Sequence, residues 1–395
     1  MDPIEELITR RVQQILPTKA GLYAILRSHK IRLYQGFDPS SPNLHIGHLV
    51  GLLQLKMFQD LGHEVIFLIG DFTGMIGDPT DKTSARTKLT PEQVAANAET
   101  YKAQAGKNLR FEGDNAAQIK FNSAWLNQLN LTELIELSSA FTIQQLIERD
   151  MFQDRLKQNK PIYLHEFLYP LMVTYDAIAM GVDLEIGGND QLFNMTVGRP
   201  LIMQKTNKDK YAMTMKLLTD KDGRKIGKTT GNAINLFGDP KDLYGQIMAL
   251  PDETIVDAFL LATNLPLEEV DKIKLAISND PMAQKKRLAF EIVKLCHSLE
   301  TAEGAQAHFQ TTVQQKEAPA DIPTINLKSG SYSVLDLCKL AGVGESHSQI
   351  KRTIEQGGVE IDDHKLTDPL AKPDIKSGSI LKFGKRNYFK LQVCN

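Results

Sequence analysis

Gly36-Phe37-Asp38-Pro39-Ser40-Ser41-Pro42-Asn43-Leu44-His45-Ile46-Gly47-His48-Leu49 decides how the chain reads. Ile31 and Leu33 lead into Gly36 as a strand end. A turn rich in Pro, Ser, Asp and Asn follows, and the apolar-periodic run 49–58 then makes a helix. Strand, turn and helix in that order make a nucleotide site plausible at the turn. His45 and His48 stand three apart at the helix start and share a face, where unpaired backbone N–H groups and the positive helix end attract anions. Gly47 costs ~1 kcal/mol in a helix interior, which a flat ring or a phosphate lying against the backbone would explain. For an isolated pattern of this kind, a capped helix with two surface histidines is an equal alternative. A metal is not expected, because no third His, Cys or carboxylate stands at zinc-like spacing.

Working outward, residues 64–69 are a short continuous apolar run between Gly62 and Gly70, which reads as a buried parallel strand. Helices between such strands imply a doubly wound sheet whose ligands bind beyond the strand carboxyl ends. Residues 70–79 form a glycine-rich loop that lets backbone approach a ligand, and Lys82 and Arg86 follow it. A structural loop with solvated charges is the alternative there. Upstream, residues 3–15 carry an amphipathic helical pattern ending at Pro17.

Downstream, 91–109 is polar and helical, and Trp125, the single tryptophan, reads as a packing anchor rather than a ligand platform. Helices rich in Leu and Ile occupy 131–157. Another covers 166–176, with Pro170 near its start, where proline is tolerated. Tyr169 and Asp176 lie two turns apart on one face of it. An acid in so apolar a segment is costly unless paired, and a hydroxyl-bearing ligand is one candidate partner. Residues 182–186 alternate as a strand that ends in Gly187-Gly188-Asn189-Asp190-Gln191. The loop 221–232 holds three glycines and four cations, so it can close on phosphates; alone it could equally be a solvated turn.

At 395 residues the chain has room for two or three domains. Apolar content of 42% with 24% charged residues describes an ordinary soluble globular protein. A net charge of −2 neither supports nor excludes nucleic acid, since basic patches are local. Cys296, Cys338 and Cys394 are far apart and form no C-x-x-C pair, which suits a reducing cytoplasm. The first 20 residues carry acids and arginines and do not read as a signal peptide. No run approaches the ~20 apolar residues of a membrane span.

Residues 239–308 are helical in pattern; Lys285, Lys286 and Arg287 are candidates for phosphate contacts, with a solvated helix face the favoured reading, and 311–332 look like a linker. The last segment, 333–395, has 10 basic and 8 acidic residues. Its helices at 334–340 and 349–355 precede a strand-like 379–393. Lys351, Arg352, Lys382, Lys385 and Arg386 are its candidates for a phosphate-binding patch.

With these motifs in place the chain resembles the bacterial tyrosyl-tRNA synthetases, class I aminoacyl-tRNA synthetases, over essentially its whole length. His45-Ile46-Gly47-His48 is similar to the family's HIGH signature and Lys225-Ile226-Gly227-Lys228-Thr229 to its KMSKS loop. Tyr169, Tyr175 and Asp176 fall in its tyrosine-binding helix, and the last 63 residues resemble the alpha-L RNA-binding fold. The resemblance implies an α/β protein with a Rossmann-like, doubly wound parallel-sheet catalytic domain over 1–235. Within it a helical insertion at about 126–165 would form a homodimer. A helical anticodon-binding domain at 236–318, a linker at 319–332 and the RNA-binding domain at 333–395 would follow.

It also implies the reaction: L-tyrosine and ATP, the latter accompanied by Mg2+, give tyrosyl-adenylate and pyrophosphate, and the tyrosyl group passes to the 3′ end of tRNA(Tyr). No tightly bound cofactor, no membrane and a cytoplasmic location are expected. By resemblance His45, His48, Lys82, Arg86, Lys225, Lys228 and Thr229 are catalytic. Loss of one such donor costs about 3 to 4 kcal/mol of transition-state stabilisation. Tyr34 and Asp176 would bind the phenol, and Asp78, Tyr169 and Gln191 the amino and carboxylate end. Gly36, Asp38, Gly47, Gly188, Asp190 and Lys228 would meet the adenylate. This family is the standard case of a site that rejects phenylalanine, by ~10⁵, because buried polar groups would be left unpaired.

Two positions depart from the pattern. Val173 stands where relatives commonly carry a glutamine for the tyrosine amino group, and Gly227 and Thr229 replace the serines of the lysine loop. Two other readings stand beside this one. One is tryptophanyl specificity or another H-x-G-H nucleotidyl transferase, which Tyr34, Asp176 and the C-terminal segment oppose. The other is a catalytically silent RNA-binding relative, which only Val173 favours.

Overall fold

The computed structural model describes residues 2–80, 89–219, 226, 233–314, 322–328, 330–344, 346–362, 364–384 and 387–394. The chain forms two compact units, Met1–Ala305 and Gln306–Asn395.

The first unit is built on a six-stranded sheet: β1 (Val12–Leu16), β2 (Arg32–Phe37), β3 (Glu64–Ile69), β4 (Gln118–Phe121), β5 (Leu184–Gly188) and β6 (Tyr211–Met215), in the order β1-β6-β5-β2-β3-β4. β6, β5, β2, β3 and β4 run parallel. In β3 every residue from Val65 to Ile69 is buried, as a central parallel strand requires. The helix Ile46–Asp60 connects β2 to β3 and buries most of its Leu-rich surface. From β2 the order runs outward through β3 and β4 on one side and through β5 and β6 on the other. The carboxyl ends of β2 and β5 therefore flank the switch point of a doubly wound sheet, where ligands bind.

Two local expectations change. The helix expected over 3–15 is confined to Pro3–Leu7, and Val12–Leu16 forms β1, antiparallel to β6 with Ile15 opposite Met213. Val12 and Ile15 fit a helical period, but pairing with β6 satisfies this backbone and covers what would otherwise be an open edge of β6. Pro170 lies inside its helix, Leu164–Met180, rather than near the start. The start is set by a capping box in which the Tyr163 N–H donates to the Glu166 carboxylate at 2.8 Å.

The remainder of this unit is helical: Pro240–Met248, Ile255–Ala262, Leu267–Ala276, Pro281–Cys296 and the start of Leu299–Phe309. Arg10 and Arg11 fasten the N-terminal segment to it. Arg11 donates to the Leu261 carbonyl at 2.8 Å and to Asn264 Oδ1 at 3.0 Å, and Arg10 to the Thr263 carbonyl at 3.0 Å. These are carbonyls at a helix C-terminus, where cations are favoured. Complete burial pulls the Arg11 guanidinium down to about 9.

In the second unit β7 (Thr324–Lys328), β8 (Val359–Ile361), β9 (His364–Leu366), β10 (Ile380–Phe383) and β11 (Asn387–Cys394) form a sheet in the order β7-β11-β10-β8-β9. The helices Val334–Leu340 and His347–Glu355 share a core with it through Leu337, Ile354, Val359, Leu381 and Leu391. Residues 319–332 are therefore not all linker. Ile325 and Leu327 alternate with polar residues, and the segment pairs in parallel with β11. The strand-like 379–393 is two antiparallel strands, β10 and β11, separated at Gly384, whose φ is +65°. Among the described residues no helix is long and apolar enough to cross a membrane.

Candidate active site

The histidine pair sits where β2 hands over to the helix Ile46–Asp60. His45 is the N-cap; its Nδ1 accepts the Gly47 N–H at 3.2 Å, and His48 Nδ1 accepts the His45 N–H at 3.0 Å. The rings stack with centroids 3.7 Å apart. Because both Nδ1 atoms accept backbone protons, a neutral ring carries its own proton on Nε2 and is a donor there. Gly47 has a reason within the chain itself: a Cβ would lie 3.0 Å from His45 Cε1. The glycine admits the capping ring.

Of the other expected catalytic residues, Lys82, Arg86, Lys225, Lys228 and Thr229 lie outside the described residues, as do Lys385 and Arg386. Described neighbours of the lysine loop touch the histidine segment. The Ile46 N–H donates to the Ile234 carbonyl at 2.9 Å and the Leu236 N–H to the Leu44 carbonyl at 3.0 Å. Ile226 is buried and lines a small cavity with Gln35, Gly47, Gly51 and Gly188.

A hydrogen-bonded chain links the turn after β2 to the helix Leu164–Met180. Tyr169 donates to Asp38 Oδ2 at 2.9 Å, Thr73 to Asp38 Oδ1 at 2.7 Å, and Asn122 to Thr73 Oγ1 at 3.0 Å. Asn122 also donates to Asp176 Oδ2 at 3.2 Å, and Trp125 Nε1 to Asp176 Oδ1 at 2.7 Å. Asp176 is only 3% exposed. Burial pushes its carboxyl up to about 8 against the pull of those two donors, with Glu185 and Asp38 adding to the rise. Tyr34, on β2, is 1% exposed. Its phenol is raised well above 10, by burial first and then by Glu185 and Asp176.

Asp78 and Gln191, expected together, do meet: Gln191 Nε2 donates to Asp78 Oδ2 at 2.6 Å. Asp78 Oδ1 accepts from the Thr80 N–H at 3.0 Å and hydroxyl at 2.7 Å, and Arg149 holds Thr80 Oγ1 at 2.6 Å while lying 4.8 Å over the Phe193 ring. Val173 is half-buried on the helix face between Tyr169 and Asp176. Asp190 sits in the turn Asn189–Gln191 after β5, and a Cβ on Gly188 would stand 2.4 Å from Asp190 Oδ1. Gly36 is different, since a Cβ there would meet nothing nearer than 4.0 Å.

In the second unit Lys351 and Arg352 are exposed on the helix His347–Glu355, and Lys351 faces Glu355 at 3.9 Å. Lys382 on β10 pairs with Glu360 at 3.0 Å and lies 5.8 Å from the Tyr388 ring centroid.

Sequence reasoning missed Thr73, Asn122, Glu185 and Lys210; Trp125 packs against the core as expected, and what was missed is its bond to Asp176. The one available signal was that the single Trp follows an Asn by three residues at a strand end. Nothing in the sequence joins either to Asp176, more than fifty residues away.

The family model for "tRNA synthetases class I (W and Y)" matches residues 26–314. A tyrosine–tRNA ligase of Moorella thermoacetica is 40% identical, the match covering 98% of this chain and 95% of the relative. One of Aquifex aeolicus is 39% identical, covering 99% of each. A C-terminally truncated mitochondrial tyrosyl-tRNA synthetase of Aspergillus nidulans superposes with a TM-score of 0.67 at 23% identity, over 78% of this chain and 93% of that one, a likeness of fold alone. Near-complete coverage by bacterial relatives, on a doubly wound sheet with a histidine pair at its switch point, makes this chain a member of the bacterial tyrosyl-tRNA synthetases of class I.

Proposed function

We propose that the cleft at the β2–β5 switch point binds tyrosine by its phenol against Tyr34 and Asp176 and joins it to ATP beside His45 and His48. The chain is a tyrosine–tRNA ligase. It activates L-tyrosine to tyrosyl-adenylate with release of pyrophosphate, then transfers tyrosyl to the 3′ end of tRNA(Tyr). The observation that carries the residue assignment is a buried carboxylate, Asp176, held by two donors beside the buried phenol of Tyr34. An apolar pocket closed by such groups rewards a ligand hydroxyl and penalises its absence.

The tyrosine carboxylate is already ionised at neutral pH, so adenylation needs no general base. It needs the attacking oxygen aligned with the α-phosphorus, and donors for the charge of the pentavalent phosphate. His45 and His48 offer Nε2–H groups at a helix N-terminus, and Lys82, Arg86, Lys225, Lys228 and Thr229 complete the set around the pyrophosphate. Asp78, Tyr169 and Gln191 take the amino and carboxylate end, with Val173 contributing only shape. Gly36, Asp38, Gly47, Gly188 and Asp190 border the adenylate, and ATP arrives with Mg2+.

The partners follow the same reading. Lys351, Arg352, Lys382, Lys385 and Arg386 contact tRNA phosphates, the protein works in the cytoplasm, and two copies pair through residues 126–165. Support for pairing comes from Leu131 and Leu164, 72% and 75% exposed, and from an apolar groove of about 400 Å³ lined by Phe72, Ile76, Leu129, Leu134, Leu168 and Met172. The test is amino-acid-dependent exchange of pyrophosphate into ATP without tRNA. Exchange with tyrosine alone is expected. Preference for tryptophan, or no exchange in folded protein that binds tRNA, would overturn the reading.

A further inference from the structure

Glu185 on β5 stands beside Tyr34 on β2 in the parallel register, and its carboxylate pairs with Lys210, the residue just before β6. Both are buried, Glu185 at 6% and Lys210 at 1% exposed. Stability alone gives no reason for the pair, because apolar residues of similar volume replace a buried ion pair at little cost. Its neighbour does. The Tyr34 hydroxyl has one proton to give; it is buried with no partner at hydrogen-bond geometry, and the Glu185 carboxylate, bound to Lys210 through Oε2, is near enough to compete for that proton.

We propose that Lys210 is a specificity-determining residue: by holding the Glu185 carboxylate, it keeps Glu185 from capturing the Tyr34 proton, which remains available for the phenol oxygen of bound tyrosine. An unpaired buried carboxylate would take the nearest donor to satisfy itself. Tyr34 would then turn its proton away from the ligand. Lys210 touches no substrate and acts through Glu185 and Tyr34, so it is a positioning residue.

The inference rests on the reading that Tyr34 and Asp176 bind the phenol, and the variants separate the two. Pyrophosphate exchange is measured with tyrosine and with phenylalanine for Tyr34→Phe, Lys210→Met and the double variant Glu185→Leu/Lys210→Met. Tyr34→Phe should lower the tyrosine-to-phenylalanine ratio of kcat/KM by about tenfold or more, the worth of one buried hydrogen bond. Lys210→Met should lower it comparably while phenylalanine kcat/KM stays within about twofold. The double variant, which removes the competing carboxylate as well, should restore the wild-type ratio; phenylalanine kcat/KM held within about twofold in Lys210→Met is the reading that a merely structural role would not give, since a distorted site would lose both substrates. An unchanged ratio in folded Lys210→Met overturns the inference, as does a lowered ratio in the double variant, which is informative even where the single variant does not fold. An unchanged ratio in Tyr34→Phe would sink the phenol reading itself.

Discussion

Trp125 donates its indole N–H to Asp176 Oδ1 at 2.7 Å, across the sheet end from the helix that carries the acid. Together with Asn122 it offsets part of the cost of burying the carboxylate, and burial still leaves Asp176 titrating at about 8 rather than 3.8. Burial thus lifts its titration from the usual carboxylate range to just above neutrality.

A stability trend with pH follows. The folded pKa lies above the unfolded one, so the folded state binds the proton more tightly. The contribution of Asp176 to stability is full below pH 3.8 and is lost progressively as pH rises through about 8. Asp176→Asn abolishes this trend. Thermal melts of unliganded protein at pH 5, 7 and 9 should show the variant gaining on wild type as pH rises, and parallel curves would refute the raised pKa. The same variant should lose discrimination against phenylalanine in the exchange assay while its fold is retained.

Gly47→Ala places a Cβ 3.0 Å from the His45 ring, so the ring must shift by a few tenths of an ångström on its cap. The Nε2 donor of His45 then loses its alignment. The expected result is a fall in kcat of about 10²-fold, the worth of one transition-state donor, with KM for tyrosine nearly unchanged. A fall confined to KM would place the histidines in ground-state binding instead.

Val173 shares a helix face with Tyr169 and Asp176. Val173→Gln adds a side chain able to accept from the tyrosine ammonium. KM for tyrosine should drop by about three- to tenfold, the value of one ordinary hydrogen bond. A rise in KM would mean that the apolar side chain is part of the packing of this site.

Leu131 and Ile135 are 72% and 62% exposed on one helix, Leu131–Ser139. Under the proposed pairing, wild type should scatter at about twice 44.1 kDa and Leu131→Glu/Ile135→Glu as a monomer. An unchanged dimer mass would move the interface elsewhere.

The stretch 36–49 was legible because its information is local. A turn rich in Pro, Ser and Asn and a glycine between two histidines at a helix start follow from sequence neighbours alone, and the apolar run of β3 follows as directly. The glycine-rich turn after β5 and the helices from 240 onward read equally well. Val12–Leu16 and Thr324–Lys328 did not, since each is a short segment whose state depends on a distant strand offering an unpaired edge, β6 in one case and β11 in the other. Pro170 misled because the helix start is decided by the side chain of Glu166 rather than by the proline.

The sequence by itself determined the histidine helix, the doubly wound sheet and the residue types around the cleft, because these depend on periodicity and on neighbours within a few positions. Only the tertiary structure decided that Trp125 and Asn122 satisfy Asp176, that Thr73 joins Asp38 to them, and that Lys210 occupies Glu185 beside Tyr34. A buried polar group must find its partner wherever the fold brings one within about 3 Å, and that distance is set by how strands and helices pack, not by where the residues stand along the chain.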